Sequence, residues 1–128
     1  TSTPCSISHT AAAAALTGKS TDIDLMRNEF ALRRDYLVDK INRIQGLSCL
    51  TPQGAFYVMM NIKDVFGKEI KGKVIRNSDE FCAHLLNVSN VALVPGAGFG
   101  AEGYVRWSYA ASMDSIKKGI ERIKDFLS

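Results

Sequence analysis

The sequence predicts an α+β fold: a small, mostly antiparallel sheet with helices packed mainly on one face, preceded by a long helix. Three observations predict it. Apolar residues recur at helical spacing up to residue 44, the period falls to two between residues 47 and 62, and helical spacing returns from residue 113 onward.

The elements follow in order. A first helix is expected to start near residues 4–6, with Thr3 as N-cap and Pro4 at the first helical position, running through the alanines at 11–15 and stopping at Gly18. Lys19-Ser20-Thr21 then caps a long helix over about residues 22–44. Met26, Phe30, Leu37, Ile41 and Ile44 give it an apolar stripe, with Glu29 and Arg33 one turn apart, and Gly46 ends it. Residues 47–51 and 55–62 read as two strands of a hairpin turned by Pro52-Gln53-Gly54. The Lys- and Gly-rich stretch 63–76 reads as an exposed loop. Asn77 and Glu80 have capping-box spacing for a helix over about 79–88, with Phe81, Leu85 and Val88 on one face. Residues 91–94 and 104–110 read as short strands. Ser112 caps a last helix to about Leu127, with Met113, Ile116, Ile120, Ile123 and Leu127 on one side.

A length of 128 residues suits one ordinary domain, and 46% hydrophobic with 23% charged residues is enough to build a core. A net charge of +3, spread along the chain, gives no electrostatic footprint for nucleic acid or an anionic membrane. The longest apolar runs, residues 11–16 and 55–60, fall far short of a bilayer span, and no signal-peptide pattern opens the chain. Cys5, Cys49 and Cys82 are odd in number and form no CxxC pair; with only His9 and His84 beside them, no metal-ligand spacing results. They read as reduced, partly buried thiols, so a cytoplasmic location is expected. The chain lacks a starting Met and reads as a piece of a longer protein.

Two motifs bear on chemistry. Residues 98–103 match G-x-G-x-x-G, but the following Tyr104-Val105-Arg106-Trp107-Ser108-Tyr109 alternates like a strand, where a dinucleotide site needs a helix. The glycines therefore read as a hairpin loop. Arg106 stands in that strand on the face opposite Val105, Trp107 and Tyr109. A guanidinium there is either a solvated surface group or a planar fork aimed at a carboxylate or phosphate. His9 and His84 have no nucleophile near them in sequence, and Lys63, Lys68, Lys71 and Lys73 have no interleaved aromatics.

Three phrases recur together in order and spacing. They are Pro52-Gln53-Gly54-Ala55-Phe56-Tyr57-Val58, then Val94-Pro95-Gly96-Ala97-Gly98-Phe99-Gly100, then Val105-Arg106-Trp107-Ser108-Tyr109-Ala110. With the opening Pro4-x-Ser6-Ile7 and the Arg33-Arg34-Asp35 helix, they resemble the C-terminal third of the aspartate-aminotransferase-like family, fold-type-I pyridoxal-phosphate (PLP) enzymes. The resemblance covers essentially the whole chain. It implies that residues 1–20 are the tail end of a large PLP-binding domain and that 21–128 form the C-terminal small domain.

The resemblance assigns Arg106 to the family's arginine that grips the substrate α-carboxylate. It places Phe56 beside the substrate and the interdomain cleft, an ordinary core aromatic being the other reading of that ring. It makes Pro95 and Gly96 structural. The family's Schiff-base lysine, its aspartate facing the pyridine nitrogen and most phosphate ligands lie upstream of these residues. No catalytic or cofactor-binding residue is therefore nominated here, and this chain by itself is expected to bind no PLP and to be inactive. The full-length protein is expected to be a PLP-dependent transaminase of amino acids and 2-oxo acids and a homodimer, with no nucleic-acid or membrane partner. The alternative is the aminotransferase-like effector domain of a PLP-binding transcription regulator.

Overall fold

The computed structural model describes residues 3–128. Two helices come first: α1 (Ser6–Thr17) and α2 (Thr21–Asn42). A four-stranded antiparallel sheet follows, in the order β1 (Ser48–Cys49), β2 (Tyr57–Asn61), β6 (Tyr104–Ser108), β5 (Val94–Pro95). Between β2 and β5 lie a 3-10 turn (Lys63–Val65), a two-stranded ribbon of β3 (Glu69–Ile70) and β4 (Lys73–Val74), and α3 (Ser78–Ser89). The chain closes with α4 (Met113–Leu127).

Strand alternation sorts the sheet into two faces. Val58 and Met60 on β2 and Val105 and Trp107 on β6 point one way and are buried. They meet Leu37 and Ile41 of α2, Phe81 and Leu85 of α3, and Ile116, Ile120, Ile123 and Phe126 of α4, all in one cluster. Gly119 lets α4 approach, because a Cβ there would stand 2.8 Å from the Trp107 ring. Tyr57, Met59, Tyr104 and Arg106 point the other way, and no helix covers them completely; all four are half-buried. The helices thus lie mainly on one face, as the sequence predicts.

Several boundaries differ from expectation, each for a local reason. The start of α1 at Ser6 falls within the expected range, but Cys5 rather than Thr3 is its N-cap, with no side-chain cap, and Pro4 precedes the helix. Gly18 ends α1 in an extended conformation (φ −77°, ψ 179°), so it is not there for left-handed freedom. The α2 stripe is buried only from its C-terminal half: Leu37 and Ile41 are in the core, but Met26 is 56% exposed. No described residue of α1 is buried. The hairpin turn at 52–54 is a wider loop, since β1 and β2 pair only as Ser48↔Asn61 and Cys49↔Met60. Asn42 completes that corner: its Oδ1 accepts from the Cys49 N–H at 2.8 Å and its Nδ2 donates to the Cys49 carbonyl at 3.1 Å.

The largest correction concerns residues 63–76. They are not a plain exposed loop, because Val65, Ile70 and Ile75 are buried among the lysines and glycines and pull the segment onto the core. The His84 ring nitrogen Nε2 lies 2.8 Å from the Ile70 carbonyl and ties the ribbon to α3. At the head of α3, Asn77 caps the Glu80 N–H as expected, but the Glu80 carboxylate accepts from Arg76 N–H rather than from the cap residue. Val88 is exposed, and the strand expected over 91–94 is reduced to Val94–Pro95. Ser112 caps α4 through the Ser115 N–H, and Phe126 takes the buried place expected of Leu127.

Candidate functional site

The exposed side of β6 carries Arg106, which pairs across the sheet with Met59 of β2 and Val94 of β5. Its guanidinium carbon lies 4.4 Å from the Tyr57 ring centroid and 4.7 Å from that of Phe99. Rings at that range attract the cation through their quadrupoles and hold its plane. Among the described residues no carboxylate forms an ion pair with it. A half-buried arginine held by aromatics and unmatched by an acid retains its fork of donors for an external carboxylate or phosphate.

Phe56 reaches the same place through Tyr57: the two ring centroids are 4.6 Å apart, and Phe56 also stacks on Phe30 at 6.3 Å. It is 42% exposed, so it is not an ordinary core aromatic. Its backbone is pinned from behind, where the Phe56 carbonyl accepts the Tyr109 N–H and the Ala55 carbonyl accepts the Tyr109 hydroxyl at 2.8 Å. Burial pushes the Tyr109 phenol above its ordinary range. The structure therefore brings the two nominated residues, Arg106 and Phe56, onto one aromatic surface. Beside it a concavity of about 500 Å³ opens on the same sheet face, lined by Leu50, Pro52, Tyr57, Met59 and Tyr104 among others.

Phe99 comes from a 3-10 turn, Gly96–Phe99, at the end of β5. A Cβ on Gly96 would run into the carbonyl oxygens of Ala101 and Tyr104, so only glycine lets the turn fold back this closely. The Glu102 carboxylate fastens the turn. It accepts from the Ser78 N–H at 2.7 Å, the Ser78 hydroxyl at 3.1 Å and the Gly103 N–H at 3.0 Å. Ser78, fully buried, in turn accepts the Ala97 N–H at 3.3 Å. The Ser78 backbone N–H, with help from Gly103, holds the Glu102 carboxyl below its ordinary range.

Sequence reasoning missed Tyr57, Phe99, Ser78 and Glu102. The alternation Tyr57-Val58-Met59-Met60 already placed Tyr57 away from the core, but its meeting with Arg106 depends on the β2–β6 register. The glycines at 98–103 lead into β6 and not into a helix, against a dinucleotide site. Burial raises the Cys49 thiol to about 11 and the Cys82 thiol to about 12, so neither is a nucleophile at neutral pH; Cys5 is exposed, not partly buried. Among the described residues no group of three His, Cys, Asp or Glu could hold a metal, and no helix is long and apolar enough to cross a membrane. Nor does the Arg106 surface fit PLP on its own: it offers one cation, aromatic rings and a thioether. The nearby Lys63 ammonium is drawn over the Tyr104 ring at 5.0 Å.

Comparison with known proteins converges on one group. A family described as aminotransferase class I and II matches residues 1–123. The chain is 43% identical to the aspartate aminotransferase of Geobacillus stearothermophilus over 127 residues, which is 99% of this chain and 31% of that protein. It is 38% identical to the aspartate/prephenate aminotransferase of Nitrosomonas europaea over 130 residues, 100% of this chain and 33% of the relative. The crystal structure of the aspartate aminotransferase from Rhizobium meliloti superposes with a TM-score of 0.93 at 42% identity, covering 100% of this chain and 33% of that one. An alanine aminotransferase from Pyrococcus furiosus gives 0.78 at 28% identity, over 89% of this chain and 28% of its own. The chain thus spans about a third of the length of the aspartate aminotransferases it matches. With the family match running over nearly every residue and the fold shared with those structures, the chain belongs to the aminotransferase class I and II family.

Proposed function

We propose that this chain is the C-terminal part of a PLP-dependent amino-acid aminotransferase and that Arg106 is its grip on the substrate α-carboxylate. Residues 21–128 would be the small domain and residues 1–20 the end of the large one. The observation that carries the reading is the unmatched Arg106 guanidinium over Tyr57 and Phe99, on the one sheet face left open by the helices.

A guanidinium fork meets a carboxylate at two points, which fixes the orientation of the attached Cα as well as its position. The aromatic rings add to this by holding the fork before substrate arrives, so less freedom is lost on binding. Phe56, contiguous with Tyr57, would shield that pair from water and strengthen it. Members of this family use PLP, which supplies the electron sink for charge left at Cα. Its lysine and phosphate contacts would come from residues outside this chain.

Replacing Arg106 by Lys in the full-length protein tests the assignment. The charge stays but the two-donor plane is lost, so kcat/KM for α-amino acids is expected to fall at least about a hundredfold, with PLP affinity and melting temperature little changed. Arg122→Lys is the control. Arg122 lies on α4, which packs on the opposite, core face of the sheet, and donates to the Asn90 carbonyl at 3.0 Å, so its replacement should leave kinetics unaltered. Near-normal transamination by Arg106→Lys would refute the grip.

A further inference from the structure

We infer that Glu102 is a positioning residue for the Arg106 grip, acting through the Gly96–Phe99 turn that it fastens to the head of α3. The inference rests on reading Arg106 as the carboxylate grip.

The observations form a continuous path. One Glu102 carboxylate oxygen takes the Ser78 and Gly103 N–H groups, and the other takes the Ser78 hydroxyl. Ser78 is the first residue of α3, and Gly103 stands at the mouth of β6, so one side chain joins the helix to the strand that carries Arg106. The Ser78 hydroxyl also receives the Ala97 N–H, which lies inside the turn. The turn closes on itself through Gly100 N–H to Ala97 and Ala101 N–H to Gly96. Phe99 is the turn's last residue, and its ring reaches 4.7 Å from the guanidinium.

Phe99 needs this support because little else holds it: 54% of its surface is exposed. Gly100 and Gly103, on either side of Glu102, adopt φ of +69° and +85°, so both flanks are glycines in a conformation that favours them, the residue with the widest intrinsic backbone freedom. A carboxylate that binds three donors across this span removes that freedom, and charge-assisted bonds are the strong ones. Tyr57 sits on β2 inside the sheet and needs no such device. Of the two rings that orient the arginine, one is therefore set by the sheet and the other by Glu102. Loss of the latch would leave Arg106 with its charge and its strand but with one ring wandering. The expected defect in holding a carboxylate goes beyond any loss of stability.

A double-mutant cycle in the full-length enzyme decides it, with propionate as a competitive probe of the carboxylate grip alongside KM and kcat for an amino acid. Glu102→Ala is expected to weaken propionate about tenfold, with KM raised in step and kcat changed less. Glu102→Gln, which retains an acceptor for both N–H groups, should recover much of that, and Phe99→Leu should reproduce much of it without touching the latch. In an Arg106→Lys background, Glu102→Ala should have little further effect, a coupling that a purely structural role would not show. Unchanged propionate affinity in Glu102→Ala, or an equal loss in both backgrounds, overturns the inference while leaving the grip standing. Unchanged propionate affinity in Arg106→Lys alone takes down both. Should Glu102→Ala fail to fold, Ser78→Ala, which removes the hydroxyl joining the Glu102 carboxylate to the Ala97 N–H, carries the same comparison across the two backgrounds.

Discussion

The two faces of the sheet are built from neighbouring residues of the same strands and do opposite work. On β2 and β6, Val58, Met60, Val105 and Trp107 are buried against three helices, while Tyr57, Met59, Tyr104 and Arg106 line a half-open surface with a concavity beside it. Moving one residue along either strand crosses from the packed face to the open one. The core face is held by shape, where a lost methylene is felt as a void. The open face is held by orientation: two rings and a loop aim one cation. Mutations on the first face should therefore change stability and spare binding, and those on the second should do the reverse.

The largest break in that division should come from Met60→Ala. Met60 is fully buried, so its truncation should cost about 2–5 kcal/mol of stability by chemical denaturation. At a temperature where the variant remains folded, its KM should stay near that of the parent. A large rise in KM would mean that the two faces are mechanically coupled. The opposite case is Tyr57→Leu, one strand position from a core residue and on the open side. It removes a ring worth about 1 kcal/mol to the cation, so carboxylate affinity should fall several-fold with the melting temperature nearly unmoved.

The smallest effect is a pH dependence that sharpens the comparison. The Glu102 carboxyl lies below its ordinary 4.5 in the folded protein, chiefly because the Ser78 N–H binds its charged form. A depressed carboxyl binds fewer protons folded than unfolded, so its stabilisation is complete above that ordinary value. It is lost as pH falls through the lowered native value. The melting-temperature gap between parent and Glu102→Gln should be steady near neutrality and shrink on acidification below about 4.5. A gap that persists at low pH would show that the carboxylate charge does not matter to the latch.

What could be read from the sequence follows the reach of local patterns. The alternation through β6 was enough to put Arg106 opposite the core, and helical spacing was enough to find α3 and α4 with their caps at Asn77 and Ser112. Patterns fail where contact is made across sequence. Glu102 meets Ser78 from 24 residues away, and Tyr57 meets Arg106 only because β2 and β6 pair in one register. The ribbon at 69–74 was hidden because Ile70 and Val74 stand among lysines and glycines that dominate composition. The stripe on α2 misled differently: periodicity tells which side of a helix is apolar, not whether anything lies against it, and Met26, 56% exposed, shows that the described residues leave the N-terminal half of the stripe largely uncovered.

The Asn42 side chain at the corner of α2 has one more consequence. Its amide supplies both a donor and an acceptor to Cys49, mimicking the backbone of an additional strand at the outer edge of β1. At the opposite edge, β5 contains Pro95, which has no N–H to offer. An open sheet ordinarily ends in two rows of unpaired groups that invite another chain to add on, the route by which sheets grow into aggregates. Here each margin carries its own stop, one a borrowed amide and the other a missing hydrogen, so a sheet with a sticky aromatic face is kept from extending sideways.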